Sequence, residues 1–288
     1  MSWRCRDRVI EFDSRPQVMG ILNVTPDSFS DGGRYRDVDE AVQRGLAMAG
    51  EGADIVDVGG ESTRPGAVPV SAGEETERVI PVIRALADAF AAKPAAPVIS
   101  VDTRKAAVAA AALEAGARII NDVTAMAGDP DMPGVARYYG AGVVLMHMRG
   151  EPATMQQEPH YDDVVAEVGA TLAKRMDALM ETGLDPETLA IDPGIGFGKT
   201  AEHNIKLVAG LATLARLGRP VVLGVSRKRF VGAITGCGLE HRLAGSLACA
   251  VWAATRGAHV WRVHDVKESA DAAKMVAALN RETSEWNG

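Results

Sequence analysis

Eight short apolar runs in this chain each end on a polar group able to bind or polarise a substrate. Ile21-Leu22 leads into Asn23, Ile55-Val56 into Asp57 and then Glu61-Ser62-Thr63-Arg64, and Val98-Ile99 into Asp102. Ile119-Ile120 leads into Asn121-Asp122, Val143-Val144-Leu145 into His147, and Leu189-Ala190-Ile191 into Asp192. Val221-Val222-Leu223 leads into Ser226 and Lys228, and Val260-Trp261 into Arg262 and His264. Asp102, Asn121 and Asp192 carry the carboxylate and amide oxygens that pair with a flat heterocycle presenting N–H and amino donors, with geometric specificity as well as energy. Lys228 can donate to a ring carbonyl or ring nitrogen. Arg262 and His264 stand two apart on a strand and so point to one side. Together they suit an anion such as phosphate, and a guanidinium can also lie flat on a π-system. Asn23 offers a neutral oxygen compatible with Mg²⁺, a cation held by few protein ligands plus substrate phosphates. The chemistry that fits is displacement of a phosphate-type leaving group from a heterocycle.

Each residue also has a plainer reading. Asp102-Thr103 before a helix could be an N-cap, and Asn121-Asp122 could close a turn on their own backbone. His147 reads more readily as a packed histidine than as a catalytic one. Arg227-Lys228-Arg229 could be a solvated charge run opening a helix. His160 and His203 have no partner at metal-ligand spacing, so surface or capping roles are expected for them. Gly194-Ile195-Gly196-Phe197-Gly198-Lys199-Thr200 superficially resembles a phosphate-binding loop. That motif needs a glycine where Pro193 stands, and a dinucleotide fingerprint needs GxGxxG rather than GxGxG. The glycines still suit a tight loop whose backbone approaches a ligand closely. Independent caps and turns would not supply so complementary a set, and the joint reading carries more weight than any single residue.

The elements that must position these groups follow from periodicity. Strands are expected at Val18–Leu22 and Asp54–Val58, and helices at 39–50, 74–91, 104–115, 162–182, 203–217, 242–256 and 267–280. Strands alternating with helices along the whole length favour a parallel sheet with helices outside. The 288 residues shared among eight units give about 36 each, which suits a (β/α)8 TIM barrel, the α/β fold in which every strand ends on the same face. A doubly wound open sheet is the competing architecture. Trp3 to Phe12 alternates loosely and is expected to form an N-terminal hairpin, within 1–16, capping the barrel bottom of a single domain spanning 1–288. The stretches 23–38 and 59–69 are Gly/Pro-rich and long for routine connections, as functional loops tend to be.

Composition narrows the function classes. With 47% hydrophobic and 24% charged residues the chain can build a sizeable core. A net charge of −7 argues against a nucleic-acid surface, which needs a basic face. Three cysteines without CxxC spacing indicate neither a disulfide framework nor a thiolate zinc site. Met1 to Arg8 lacks the apolar segment of a signal peptide, and no apolar run approaches the ~20 residues of a membrane helix. A cytoplasmic protein is expected.

The motifs Gly20-Ile21-Leu22-Asn23-Val24-Thr25-Pro26-Asp27-Ser28-Phe29, Glu61-Ser62-Thr63-Arg64-Pro65-Gly66, Ser100-Val101-Asp102-Thr103, Asn121-Asp122-Val123, Met146-His147-Met148, Asp192-Pro193-Gly194, Ser226-Arg227-Lys228 and Arg262-Val263-His264-Asp265 resemble those of the dihydropteroate synthases. The match runs in order from about residue 17 to 280. The resemblance implies a homodimeric barrel that joins 4-aminobenzoate to 6-hydroxymethyl-7,8-dihydropterin diphosphate, giving 7,8-dihydropteroate and pyrophosphate, with sulfonamides competing for the aminobenzoate site. It implies that Thr63, Asp102, Asn121, Asp192, Lys228, Arg262 and His264 bind the pterin diphosphate, with Arg262, His264 and Lys228 as the catalytic groups. Asn23 would contact Mg²⁺. Thr63, Arg64, Pro65, Phe197 and Arg229 would surround 4-aminobenzoate.

Two positions depart from the commonest family pattern: Ile195 replaces an aromatic, and Arg229 stands where a serine is frequent, beside the expected aminobenzoate carboxylate. A pterin-binding module that carries methyl-pterins to a corrinoid protein is the alternative from another class. It would share the Asp/Asn/Asp set but need neither Glu61-Ser62-Thr63-Arg64-Pro65-Gly66 nor Arg262-Val263-His264. Replacing Arg262 with alanine is expected to lower activity sharply while the thermal midpoint moves little.

Overall fold

The computed structural model describes the chain except residues 13–14, 26–33, 63–67, 92, 94, 151–153 and 286–288, with the backbone alone described at 34–37 and 283–285. Thr63, Arg64 and Pro65 therefore lie outside the described residues, as does much of the loops 23–38 and 59–69.

The chain opens with a hairpin of β1 (Ser2–Cys5) and β2 (Arg8–Glu11), paired antiparallel. Eight parallel strands follow with helices between them. They are β3 (Gln17–Asn23), α1 (Arg34–Glu51), β4 (Ile55–Gly59), α2 (Ala72–Ala91), β5 (Val98–Asp102), α3 (Ala106–Ala115), β6 (Ile119–Asp122), α4 (Met132–Tyr139) and β7 (Gly142–Met146). The chain continues through α5 (Val164–Glu181), β8 (Leu189–Asp192), α6 (Ala201–Ala209), α7 (Leu211–Ala215), β9 (Val222–Leu223), α8 (Arg229–Thr235), α9 (Leu243–Ala254), β10 (Val260–Val263) and α10 (Val266–Glu285). The strands run β8-β7-β6-β5-β4-β3-β10-β9, and a parallel bridge from Ile191 to Val221 joins the two ends. That contact closes the sheet and rules out the open doubly wound arrangement.

Period two along each strand sorts the side chains. Val56, Val58, Ile99, Val101, Leu145, Leu189, Trp261 and Val263 belong to the apolar layer under the helices. Met19, Ile55, Ile119, Val144, Ala190, Val222 and Val260 form a second cluster inside the barrel. Two residues further along those same strands stand Ile21, Asp57, Asn121, Met146, Asp192, Gly224 and Arg262. Alternation keeps them on the inner face, so the lumen is apolar at the bottom and polar at the top. Trp3 and Cys5 of the hairpin join the bottom cluster, and the Trp3 indole N–H donates to the Thr188 carbonyl at 2.7 Å. The hairpin thus plugs the N-terminal face, as expected from sequence.

The helices follow their stripes with local adjustments. The expected helix 203–217 divides at Gly210 into α6 and α7. Helix α4, eight residues beginning Met-Pro-Gly, was not anticipated, and α8, seven residues, starts at the charge run that could open a helix but had no expected range. Both are too short for periodicity to reveal. Gly116, at φ 118°, ends α3 with its N–H turned back to the helix carbonyls, and a β-carbon there would lie 2.5 Å from that of Ala87. His203 completes a capping box with Thr200 at the start of α6, the capping role expected of it.

Candidate active site

At the C-terminal mouth Arg262 is the centre of a buried ionic network. Its Nε donates to Asp57 Oδ2 at 2.7 Å and its Nη2 to Asp102 Oδ2 at 2.6 Å. Asn121 Nδ2 donates to the same Asp57 oxygen at 2.9 Å. The amide nitrogen is therefore committed below, and Asn121 is left with its carbonyl oxygen as the group for a ligand. Asp57 is wholly buried and orients both neighbours, yet no motif singles it out in the sequence. It reads there as one more polar residue of a strand. Its other oxygen has no hydrogen-bond partner among the described residues.

This network corrects the expectation that losing Arg262 would scarcely affect stability. Two buried carboxylates would lose their shared cation, and breaking a buried pair from one side is costly.

Burial and mutual proximity tune the titrating groups. Burial raises Asp102 to about 7 against the pull of Arg262, with Asp57 adding to the rise. Burial also raises Asp192, opposed by the Gly194 N–H bond and by Lys228. Burial would lower Arg262, but Asp57 and Asp102 more than reverse that and hold it charged. Burial and then Arg262 lower Lys228 to about 8. A lysine so lowered is cationic below about pH 8 and neutral above it. We expect kcat/KM for the pterin substrate to fall as pH rises through about 8, where this donor loses its charge. A pH–rate profile that stays level to pH 10 would contradict a binding role for Lys228.

Burial, then Arg262 and Arg227, lower His264 to about 4, so it is a neutral imidazole at physiological pH. Ser226 Oγ accepts the His264 backbone N–H at 3.2 Å and lies 3.1 Å from Nδ1. The hydroxyl can in turn donate a hydrogen bond to Nδ1, and in that tautomer Nε2 carries the N–H. The charge run divides three ways. Arg227, at φ 56°, pairs with Asp265, Lys228 turns its Nζ to within 4.4 Å of the Phe197 ring centre, and Arg229 is exposed at the start of α8.

The remaining groups sort as follows. Asp192 Oδ1 accepts the Gly194 N–H at 2.7 Å, leaving its second oxygen for a ligand. Thr103 is buried and its Oγ1 accepts the Lys105 N–H at 3.2 Å, while the cap of α3 itself is Lys105 without a side-chain bond. Asp122 is the residue that closes a turn on backbone, accepting from Thr124 and Met126; Asn121 is not. Asn23 ends β3 opposite Gly59, half-buried. His147 is buried and lowered to about 3 by burial and Lys199, in keeping with a packing role. Glu61, where the loop after β4 begins, is tied by Lys105 to the buried Glu75 of α2 and by Arg104 at 3.1 Å. This anchors the loop root to two helices.

Set beside known proteins, residues 19–264 match the family of pterin binding enzymes. The chain is 48% identical over 265 residues to the dihydropteroate synthase of Escherichia coli (strain K12), covering 92% of each. The Xanthomonas albilineans dihydropteroate synthase, solved with 4-aminobenzoic acid, superposes with a TM-score of 0.89 at 48% identity, over 97% of this chain and 98% of that one. The Yersinia pestis enzyme, solved with a sulfonamide drug complex, gives a TM-score of 0.90 at 44% identity, over 98% of this chain and 100% of that one. Polar groups gathered at one barrel mouth and likeness over nearly the whole length agree, and the chain belongs to the dihydropteroate synthases.

Proposed function

We infer that the chain condenses 6-hydroxymethyl-7,8-dihydropterin diphosphate with 4-aminobenzoate, giving 7,8-dihydropteroate and pyrophosphate. The observation that carries this reading is the set of acceptors and donors at the mouth. Asp102, the Asn121 carbonyl oxygen and Asp192 accept from the pterin N–H and amino groups, and Lys228 donates to its carbonyl or ring nitrogen. Arg262, held by two carboxylates, lies beside the heterocycle and faces the diphosphate with the His264 N–H.

The reaction breaks the C–O bond between the exocyclic carbon and the diphosphate and forms a C–N bond to the aminobenzoate amine, which gives up one proton. The electron-rich pterin can carry the charge left on its exocyclic carbon, so no strong base is required. The cationic Arg262 and the neutral His264 donor fixed at the leaving group stabilise the charge that develops there. Phe197 forms a wall of the aminobenzoate subsite, and Arg229 would lie near the carboxylate. Thr63, Arg64 and Pro65 complete that subsite from the loop after β4, where sulfonamides compete, and loop closure keeps water from the reactive carbon.

Mg²⁺ fits this donor set as a metal held mainly by the substrate. No cluster of three or more His, Cys, Asp or Glu suited to a metal occurs among the described residues, and Asn23 supplies one neutral oxygen at the mouth. When bound, the ion would neutralise charge on the departing pyrophosphate.

The protein works as a homodimer in the cytoplasm. Trp252 of α9 and Met275 and Leu279 of α10 are large exposed apolar side chains on two helices in contact, the kind of patch that marks an interface. Sedimentation should give twice the chain mass of 30.3 kDa. Three free cysteines suit a reducing compartment, and among the described residues no helix is long and apolar enough to cross a membrane. The deciding experiment is release of pyrophosphate by purified protein with Mg²⁺. It should require both substrates together and yield dihydropteroate. Folded protein that forms none would overturn the reading.

A further inference from the structure

The glycine-rich segment after β8 fails as a phosphate loop, yet its lysine is among the most enclosed charged groups in the molecule. Lys199 is 3% exposed. Its Nζ lies 2.9 Å from the Phe197 carbonyl oxygen, 3.0 Å from that of Gly194, 3.0 Å from His147 Nδ1 and 3.3 Å from the His147 carbonyl oxygen. An ammonium has three protons and no acceptor. Three partners at 3.0 Å or less match its valence, and the one ring nitrogen among them requires His147 to be neutral. Burial and Lys199 itself keep His147 so.

The two loops that Lys199 joins, after β7 and after β8, run backbone against backbone. A β-carbon at Gly194 would lie 1.8 Å from the His147 carbonyl oxygen, and one at Gly198 would lie 2.2 Å from that of Arg149. Both glycines have positive φ, 67° and 64°. The Phe197 ring, by contrast, is only half-buried, so apolar packing alone holds it weakly. Its position over Lys228 Nζ depends on its main chain, and the shortest hydrogen bond from Lys199 ends there.

We propose that Lys199 is a positioning residue for the second substrate, fixing the Phe197 ring over Lys228 by gathering the carbonyls of Gly194 and Phe197 and the ring nitrogen of His147 around one buried amino group. This rests on the reading of Phe197 as a wall of the 4-aminobenzoate subsite. Lys199 touches neither substrate. Asp192, on the pterin side, is held by its own strand; it meets these loops through the Gly194 and His147 N–H groups and feels the Lys199 charge with no hydrogen bond between the two side chains.

The test is a double-mutant comparison in the full-length protein, with each substrate varied in turn. Lys199→Met keeps the length of the side chain and removes its donors. It should raise KM for 4-aminobenzoate at least tenfold and KM for the pterin diphosphate less than threefold. In a Phe197→Ala background, Lys199→Met should add less than twofold, because residues that act through one another are not additive. If Phe197→Ala raises KM for aminobenzoate and Lys199→Met multiplies it in full, the proposal fails while the subsite reading stands. An equal rise in both KM values for Lys199→Met likewise overturns it. If Phe197→Ala leaves that KM unchanged, the subsite reading fails and takes the proposal with it. Should Lys199→Met not fold, Lys199→Gln, which retains two N–H donors, serves in the same comparison with a smaller rise expected for aminobenzoate alone.

Discussion

Replacing Arg262 with alanine is expected to lower kcat/KM for the pterin diphosphate by about 10²–10³-fold, the usual loss when a fixed donor to developing charge is removed. The same change should cost stability. Arg262 is the shared cation of Asp57 and Asp102, and stripping it leaves uncompensated buried charge worth about 3 kcal/mol or more. Asp102 can relieve part of this by protonating, since its pKa already stands at about 7. A fall in the thermal midpoint of roughly 6–12 °C is expected for a loss of that size. Arg262→Lys separates the two effects. It restores a positive charge and so recovers much of the midpoint, but one ammonium cannot reproduce a planar fork aimed at two carboxylates. Activity should stay low. Full activity in Arg262→Lys would show that only charge matters there.

Asp192→Asn should weaken pterin binding by about ten- to a hundredfold, measured by calorimetry with a pterin ligand. Asp192 Oδ1 is engaged by the Gly194 N–H, and an asparagine would keep its one oxygen on that partner. Its amide nitrogen would then face the donor groups of the pterin, a buried donor–donor mismatch of about 1–3 kcal/mol. Stability should move the other way or not at all, because a buried carboxylate with a raised pKa gives place to a neutral group. Unchanged affinity would show that Asp192 does not read the pterin.

These two residues show what was legible in the sequence. Runs ending on Asp102, Asn121, Asp192, Lys228, Arg262 and His264 implied both the barrel and its mouth, because strand periodicity and shared direction are local properties repeated eight times. Asp57 stood among the polar exits without a role, and Lys199 was not legible as a participant. Asp57 orients Arg262 across 205 residues of chain, and no spacing rule reaches so far. Lys199 stands in a motif that fails the one test a sequence allows, and its role depends on carbonyl positions that any residue could supply. Asn121 and Asp122 were equivalent candidates for a turn. Strand alternation decides between them, sending one side chain into the lumen and the other to its own backbone. Helix α4 was missed because eight residues span barely two turns.

The hairpin plug has a consequence for vectorial synthesis. The partner of the Trp3 indole is the carbonyl of Thr188, 185 residues downstream, and Trp3 is completely buried against strands made between those points. The two hairpin strands therefore have no seat until β8 has emerged. At about 5–20 residues per second, that interval is on the order of ten to forty seconds. Through it, the hairpin exposes Trp3 and has no partner for its outer edges.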